Sequence, residues 1–160
     1  MEFKIIDIQP KKLIGKSLSM SFLNNATGVL WASFAPSIKE IKNRVGGERV
    51  SLQFYGDDFM KNPSIPFTKW ATVEVSNFDE IPSHLEKLEL NAGLYAVFHY
   101  KGNVVQAASY FKNIFTEWIP ASEYEVDNSR PHFEILPIGK YDPMDENSEE
   151  DIYIPIKLKK

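Results

Sequence analysis

The stretch Gly93–Lys157 contains the succession of patterns on which the fold depends. It begins GLYAVFHYKGN, continues VVQAASYFKNIFTEWIP, passes through RPHFEILP and ends EEDIYIPIK. Leu94–Tyr100 is rich in aromatic and β-branched residues and is flanked by glycines, as is typical of a strand. The later segments predict a helix and two further strands. The stretch therefore predicts a unit made of strand, helix, strand and strand.

From Val104 onwards the apolar residues recur with the period of a helix. One face of that helix is formed by Val104, Ala108, Phe111, Phe115 and Trp118. A helix that packs on a sheet buries one stripe, so we expect these residues to cover the sheet and Gln106, Lys112, Asn113 and Glu117 to lie towards water. Pro120 is expected to end the helix.

The segment Pro131–Pro137 places one acidic residue, Glu134, inside a strand that is otherwise suited to burial. Side chains alternate across a strand, so if its apolar neighbours face the helix-covered core, Glu134 faces the other way. In the last strand, Asp151–Ile156, Tyr153 likewise points away from the isoleucines. We therefore expect Glu134 and Tyr153 to share a face of the sheet.

The N-terminal half predicts a first unit of the same kind. Phe3–Ile8 and Leu13–Phe22 have the pattern of strands, and the second of them is expected at or near a sheet edge, where Gly15 permits a bend or bulge. Val50–Tyr55 and Thr68–Val75 predict two more strands. An exposed edge can pair with another chain, so monomer and homodimer both remain open.

A second helical pattern lies between these strands. Its apolar face is formed by Leu30, Phe34, Ile38, Ile41 and Val45. Pro36 falls inside the pattern, where proline costs about 3 kcal/mol. The regular helix is therefore expected to begin near Ala35 or to kink there, and Gly46 and Gly47 are expected to end it.

Residues 77–92 are expected to connect a first unit at about 3–75 to a second at about 93–157, with a short helix after Pro82. The segment Gly56–Pro66 predicts a long loop over a cleft or the sheet edge. If the two units are copies, VSLQFYG aligns with PHFEILP and Gln53 corresponds to Glu134. This alignment predicts an asymmetric cleft in which a neutral amide lies opposite the acid.

Five segments carry a resemblance to a known family. They are WATVEVSNFDEIP, GLYAVFHYKG, FTEWIPASEYEV, PHFEILP and YDPMDENSEEDIYIPI, in this order between Phe67 and Ile156. Together they resemble the GyrI-like family, also called the AraC-type effector-binding domain. Before Phe67 the residue match is weak, and the predicted order of strands and helix alone supports the resemblance.

The resemblance implies an α+β fold in which two pseudo-symmetric βαββ units, or SHS2 modules, form one antiparallel sheet with two main helices and a ligand cleft. In many members the cleft contains a glutamate, which corresponds here to Glu134. Members include sensory domains of multidrug-responsive transcription regulators, stand-alone ligand binders, and hydrolases that open cyclopropane-bearing natural products. The resemblance therefore defines the fold more closely than the function.

Length and composition predict one globular domain, because 43% of the 160 residues are hydrophobic and 13% are aromatic. The absence of cysteine excludes disulfides and thiolate chemistry, and no signal peptide or apolar run of about 20 residues occurs. The net charge of −4 lacks the basic character of a nucleic-acid binder. We expect a cytoplasmic protein that does not contact a membrane and does not bind nucleic acid directly.

Glu134 is the leading candidate for a functional residue. It is either a solvated residue on the open face of a sheet or a carboxylate among aromatic rings, where burial disfavours its charged form and a cationic ligand restores it. Tryptophan and tyrosine faces also bind cations and stack on planar ligands. The predicted ligand-binding residues besides Glu134 are Trp70, Tyr153, Trp31, Tyr95, Gln53, Phe115 and Trp118. For Phe115 and Trp118, at helical spacing, a place in the core is the more common alternative.

No metal or cofactor is predicted. His84, His99 and His132 lack the spacing of a zinc site, and no Gly-x-Ser-x-Gly motif or phosphate-binding loop occurs. The acidic segment Tyr141–Glu150 does not fit the twelve-residue calcium loop, so we expect a solvated loop.

Two functions fit these observations. The first is a stand-alone binder of amphipathic, aromatic or cationic small molecules that sequesters or senses its ligand. The alternative is a hydrolase of strained electrophiles in which Glu134 activates water and Tyr153 donates a hydrogen bond. A protein partner, either a regulator or a larger enzyme, is compatible with both.

Overall fold

The computed structural model describes residues 3–137, 142 and 144–160. The fold is α+β, as predicted. Its strands are β1 Phe3–Ile8, β2 Lys11–Met20, β3 Arg44–Phe54, β4 Phe67–Val75, β5 Glu86–Leu90, β6 Gly93–Lys101, β7 Tyr124–Val126, β8 His132–Leu136 and β9 Glu149–Leu158. Its α-helices are α1 Thr27–Phe34, α2 Val104–Asn113 and α3 Ile119–Ala121, with a 3₁₀ segment Ala35–Glu40 after α1 and a π-helical segment Ile114–Trp118 before α3.

The strands form an antiparallel sheet in the order β1-β6-β9-β8-β3-β4-β2-β5, and β7 pairs with the end of β9. Strands β1 and β2 lie near opposite ends of this order, yet only Gln9 and Pro10 separate them along the chain. Strands β5 and β6 are likewise separated by only two residues. Such short connections require the two ends of the sheet to approach each other, so the sheet curls.

We call the two faces of the curled sheet the concave face and the helix face. The concave face carries the buried residues Ile8, Leu13, Val50, Leu52, Leu90, Tyr95 and Phe133, which come from both ends and the centre of the sheet. The helix face carries two separate clusters. One lies under α1 and includes Ile14, Ala71 and Val73, and the other lies under α2 and includes Phe98, Ile152 and Ile154.

The order of elements is the same in the two halves. Strands β2, β3 and β4 with α1 are arranged like β6, β8 and β9 with α2, and β3 pairs with β8 at the centre. The central register sets Leu52 opposite Phe133. Strand β1, however, pairs with β6 of the other half. The division into units at about 3–75 and 93–157 remains a prediction.

The first helix differs from its prediction. Regular α-helix runs from Thr27 to Phe34, before the proline, and a 3₁₀ segment with Pro36 in its first turn runs from Ala35 to Glu40. The first alternative, a helix that starts near Ala35, is wrong. The second, an irregularity at this point, agrees with the change from α-helix to 3₁₀ helix at Ala35, because proline is tolerated in the first turn of the new segment. Residues 45–47 belong to β3 instead of ending a helix, and Gly46, with φ 68°, lies where the pairing of β3 with β4 shifts register.

The connector also differs, because Glu86–Leu90 forms β5 where a short helix was expected. Strand β5 pairs with β2 over Lys11–Gly15, so this part of β2 is not an exposed edge. Gly15 keeps a regular register, without a bend or bulge. A β-carbon there would collide with the carbonyl of Ala71, so close backbone approach explains this glycine.

The predicted helix from Val104 to Pro120 is divided by the π-helical segment. Phe111, Phe115 and Trp118 pack on the cluster under α2, as expected, but Val104 is exposed. The packed face instead includes Ala107 and Tyr110, because the extra residue of the π turn changes the helical register.

The expectation that Glu134 and Tyr153 share a face is wrong. Glu134 pairs directly with Ile152 and lies on the helix face, whereas Tyr153 stacks on Phe133 on the concave face, with ring centroids 4.4 Å apart. Both faces of this sheet are covered by protein. The alternation of apolar residues therefore does not reveal which face the helices cover.

Candidate small-molecule cleft

A line of four polar side chains crosses the helix face at the centre of the sheet, between the clusters under α1 and α2. Lys69 of β4 is paired with Gln53 of β3, and the Gln53 amide donates a hydrogen bond of 3.2 Å to Oε1 of Glu134 on β8. On β9, Ile152 pairs with Glu134, and Glu150 lies two residues before Ile152. We call Lys69, Gln53, Glu134 and Glu150 the polar line.

The polar line is recessed between the clusters under α1 and α2, and solvent still reaches it; we take this recess as the candidate cleft. Lys69, Glu134 and Glu150 are half-buried. Beside them, Ser51, Gln53 and His132 are buried and form the floor. A recessed charge without a close ion-pair partner loses hydration that a bound ligand can replace. The cleft is therefore a candidate binding site.

The pKa values of the three charged groups are shifted in the directions expected of a recessed site. Burial raises the pKa of Glu134, against the opposing effects of the Lys69 charge and the Gln53 hydrogen bond. Burial also raises the pKa of Glu150, and the negative charge of Glu134 raises it further. Burial lowers the pKa of Lys69, although both carboxylates oppose this. Each group therefore responds to the charge of the others.

Aromatic rings form one wall of the cleft. Tyr55, at the end of β3, stacks on Phe59 with centroids 4.5 Å apart and lies 4.8 Å from the ring of His132. Phe115 lies 5.3 Å from Phe59 and 5.9 Å from His132. Burial and the nearby charge of Glu134 raise the pKa of the Tyr55 hydroxyl. Phe59 comes from the loop that was predicted to lie over the cleft or the edge.

His132 is a buried, neutral part of this wall. Burial lowers its pKa to about 3. Its Nε2 lies 2.6 Å from Oδ1 of Asn128, so Nε2 carries the proton and donates the hydrogen bond. Within the described residues its Nδ1 has no hydrogen-bond partner.

The structure brings together some of the predicted site residues. Gln53 and Glu134 are in direct contact, and Phe115 reaches the aromatic wall through Phe59 and His132. Trp31 of α1 packs on the cluster under that helix, and the guanidinium of Arg49 lies 5.8 Å from its ring.

The other predicted residues lie elsewhere. Trp70, Tyr95 and Tyr153 belong to the concave face. Trp118 stacks on Phe98 in the core under α2, with centroids 5.8 Å apart. The assignment of Trp70 and Tyr153 to the face of Glu134 is wrong, because β4, β8 and β9 each place the odd and even residues on opposite sides of the sheet.

Sequence reasoning missed five residues that surround Glu134. They are Lys69, Glu150, Tyr55, Phe59 and His132. One signal was available for Lys69, which interrupts the apolar series Phe67, Ala71, Val73 and Val75 on one face of β4. No comparable signal marked Glu150, because it ends an acidic segment that resembles a solvated loop.

The part of the chain that the structure describes contains no group of three or more His, Cys, Asp and Glu residues that could hold a metal ion. None of its helices is long and apolar enough to cross a membrane. His99 lies between Asp151 at 2.7 Å and Glu149 at 2.9 Å and forms an ion-pair cluster with them.

Two helical segments on one face of an antiparallel sheet, with charged and aromatic side chains recessed between them, form an arrangement that is suited to binding a small molecule. The chain belongs to the family described as the GyrI-like small molecule binding domain, which matches residues 1–157. The resemblance inferred from five sequence segments is thereby confirmed.

The transcriptional regulator BrlR of Pseudomonas aeruginosa is 29% identical to the chain over 156 residues, which are 98% of the chain and 56% of the regulator. The chain therefore spans about half the length of this relative.

Among solved structures, SAV2435 bound to tetraphenylphosphonium superimposes with a TM-score of 0.67 at 19% identity, covering 98% of this chain and 94% of the other. A hydrolase encoded by lin2189 from Listeria innocua gives 0.63 at 11% identity, covering 98% and 92%. At these identities the structures establish a shared fold.

Proposed function

We propose that the protein binds amphipathic, aromatic or cationic small molecules in the cleft above the polar line. The observation that carries this proposal is the half-buried pair of carboxylates, Glu134 and Glu150, beside the aromatic wall. An aromatic cation buries its rings against Tyr55, Phe59 and Phe115 and places its positive charge next to the carboxylates. Binding then compensates the desolvation that raises the pKa of Glu134.

The breadth of ligands follows from the chemistry of the wall. Stacking and burial are largely indifferent to the identity of a planar ligand, whereas the carboxylates select for positive charge. We propose that this combination accepts several chemically different ligands. A role in sensing, in which a regulatory partner responds to occupancy, is consistent with the relationship to a transcriptional regulator.

The test measures binding of tetraphenylphosphonium and of neutral triphenylphosphine oxide by isothermal titration calorimetry. Glu134→Gln removes one charge with almost no change in volume, and Glu80→Gln, at an exposed position outside the cleft, is the matched control. We expect Glu134→Gln to weaken the cation about tenfold, since charged contacts contribute about 1.5–3 kcal/mol, and to leave the neutral compound unchanged. Equal affinity of wild type and Glu134→Gln for the cation would overturn the role of Glu134.

A hydrolase is the second candidate, and the raised pKa of Glu134 is the observation that favours it. A carboxylate with a pKa closer to neutrality is a better general base for activating water. Tyr153 cannot assist Glu134 from the opposite face, and Tyr55 on the aromatic wall replaces it as the proposed hydrogen-bond donor. Mass spectrometry of a cyclopropane-bearing electrophile incubated with the protein tests this. A water adduct that Glu134→Gln abolishes supports an enzyme, and an unchanged electrophile contradicts it.

A further inference from the structure

Lys69 places a positive charge in a cleft whose other charged groups are acids. It lies at one end of the polar line, and Glu134 and Glu150 lie towards the other. A cationic ligand of the cleft therefore meets repulsion from Lys69 as well as attraction from the carboxylates. The charge pattern of the cleft is dipolar.

Much of the hydrogen-bonding capacity of this pattern is unused. Among the described residues, no acceptor forms a hydrogen bond or a close ion pair with the Lys69 ammonium, and Glu150 has no donor in contact with its carboxylate. Glu134 accepts one hydrogen bond from the part of the chain that the structure describes, and its donor is Gln53. An ammonium offers three donors and a carboxylate about four lone-pair sites. A ligand can therefore pair with both ends of the polar line.

The separation of the two ends sets the size of that ligand. Neighbouring strands lie about 4.8 Å apart, and one strand, β3, lies between Lys69 and Glu134. Their attachment points are therefore about 10 Å apart across the sheet and about 7 Å apart along the strands, and Glu150 is one strand farther and again two residues along. The aromatic wall at Tyr55 and Phe59 lies beside this span, so the body of the ligand stacks there.

We propose that Lys69 determines the specificity of the cleft and that the preferred ligands are aromatic zwitterions, with a cationic group directed to Glu134 and Glu150 and an anionic group directed to Lys69. This inference rests on the proposed small-molecule function and adds the ligand class. Simple lipophilic cations bind to the acidic end alone. The anionic group provides the second point of attachment.

The experiment uses rhodamine B, an aromatic zwitterion at neutral pH, and its methyl ester, which lacks the negative charge but keeps the aromatic body. Binding is followed by fluorescence anisotropy to wild type, Lys69→Met and Lys69→Arg. Lys42→Met, at an exposed lysine in the turn before β3, is the matched control. Thermal unfolding of each variant verifies that it is folded.

Wild type and Lys42→Met are expected to bind rhodamine B about tenfold more tightly than the ester, the ratio typical of one charge-assisted contact. Lys69→Met should remove or invert this preference by weakening the zwitterion and strengthening the ester. Lys69→Arg should keep it. A merely structural role for Lys69 would change both affinities together and leave their ratio unaltered.

If wild type binds the ester as well as the zwitterion, or if Lys69→Met keeps the wild-type ratio, Lys69 does not determine specificity, while the proposed function stands. If wild type binds neither dye nor tetraphenylphosphonium, the proposed function fails and this inference fails with it. Should Lys69→Met not fold, Lys69→Gln, which also removes the positive charge, takes its place in the same comparison.

Discussion

The two faces of the central strands differ in composition: one carries packed apolar residues and the other carries polar residues. On the concave face, Leu52, Phe133 and Tyr153 lie opposite one another in adjacent strands and pack as a continuous apolar layer. On the helix face, the intervening residues of these strands include Gln53 and Glu134, which are polar and incompletely paired. The same short strands thus provide stability on one side and a binding surface on the other.

This comparison shows why the cleft has to lie between the helices. Helix α1 covers β2 and β4, and α2 covers β6 and β9, so none of the described helices lies above the central pair β3 and β8. A central apolar surface there would be exposed to water. The polar residues tolerate that exposure, while the concave layer beneath them supplies the packing.

The largest expected effect comes from breaking the concave layer. Phe133→Ala removes a fully buried ring that stacks on Tyr153 and contacts Tyr95 at 5.2 Å. Large-to-small changes of buried aromatics cost about 3–5 kcal/mol, so urea denaturation should show a loss of this size. A loss below about 1 kcal/mol would mean that the concave face is not the core.

A smaller loss is expected when one polar atom of the concave layer is removed. The hydroxyl of Tyr95 donates a hydrogen bond of 2.7 Å to the carbonyl of Pro131, where β8 begins. Tyr95→Phe leaves this buried carbonyl without its donor, at a cost of about 1–3 kcal/mol in the free energy of unfolding. Affinity of the folded protein for tetraphenylphosphonium should be unchanged, because Tyr95 lies on the opposite face.

On the helix face, by contrast, a substitution is expected to stabilise the fold. The pKa of Glu134 is raised by burial, so the folded chain binds its proton more tightly than the unfolded chain does. Ionising Glu134 therefore reduces stability as the pH rises from about 4.3, its unfolded value, through the raised folded value. Glu134→Gln should stabilise the ligand-free protein by about 1 kcal/mol at a slightly alkaline pH, since one pKa unit corresponds to about 1.4 kcal/mol.

Thermal unfolding over a range of pH checks this prediction against the control Glu80→Gln. The advantage of Glu134→Gln should disappear below about pH 4, where the carboxyl group is protonated in both states. A destabilised variant at alkaline pH would show that the charge of Glu134 contributes favourably to the ligand-free fold. The cleft would then be a structural ion-pair network.

The smallest effect is expected for Tyr153→Phe. The Tyr153 ring stacks on Phe133, and its hydroxyl forms no hydrogen bond to the residues that the structure describes. Removing this oxygen should change both stability and ligand affinity by less than about 0.5 kcal/mol. A tenfold loss of affinity for tetraphenylphosphonium would place the ligand on the concave face.

The sequence was informative wherever a local pattern was sufficient. Strand β1 follows its predicted bounds, and β4 and β6 begin within one residue of theirs, because aromatic and β-branched residues between turn signals mark strands. The family resemblance added the architecture and the proposed role of Glu134. The Gln53 amide contacts Glu134 diagonally across the strands, while the residue directly opposite Glu134 is Ser51.

What local patterns could not supply is the arrangement across strands. Both faces of β8 are buried, so periodicity did not show which one carries the cleft. The polar line joins Lys69 to Glu134 and Glu150 through the order β4-β3-β8-β9, and these residues are far apart in sequence. Similarly, β5 forms because β2 offers it a pairing edge, although its own residues resemble a short helix.

The central claim, that small molecules bind on the helix face above Glu134, is tested most directly by a crystal structure of the protein with tetraphenylphosphonium. The account predicts the cation between α1 and α2, with its phosphorus nearer to Glu134 than to any residue of the concave face and with a phenyl ring against Tyr55 or Phe59. A cation bound against Trp70 and Tyr153, with the cleft above Glu134 empty, would contradict it.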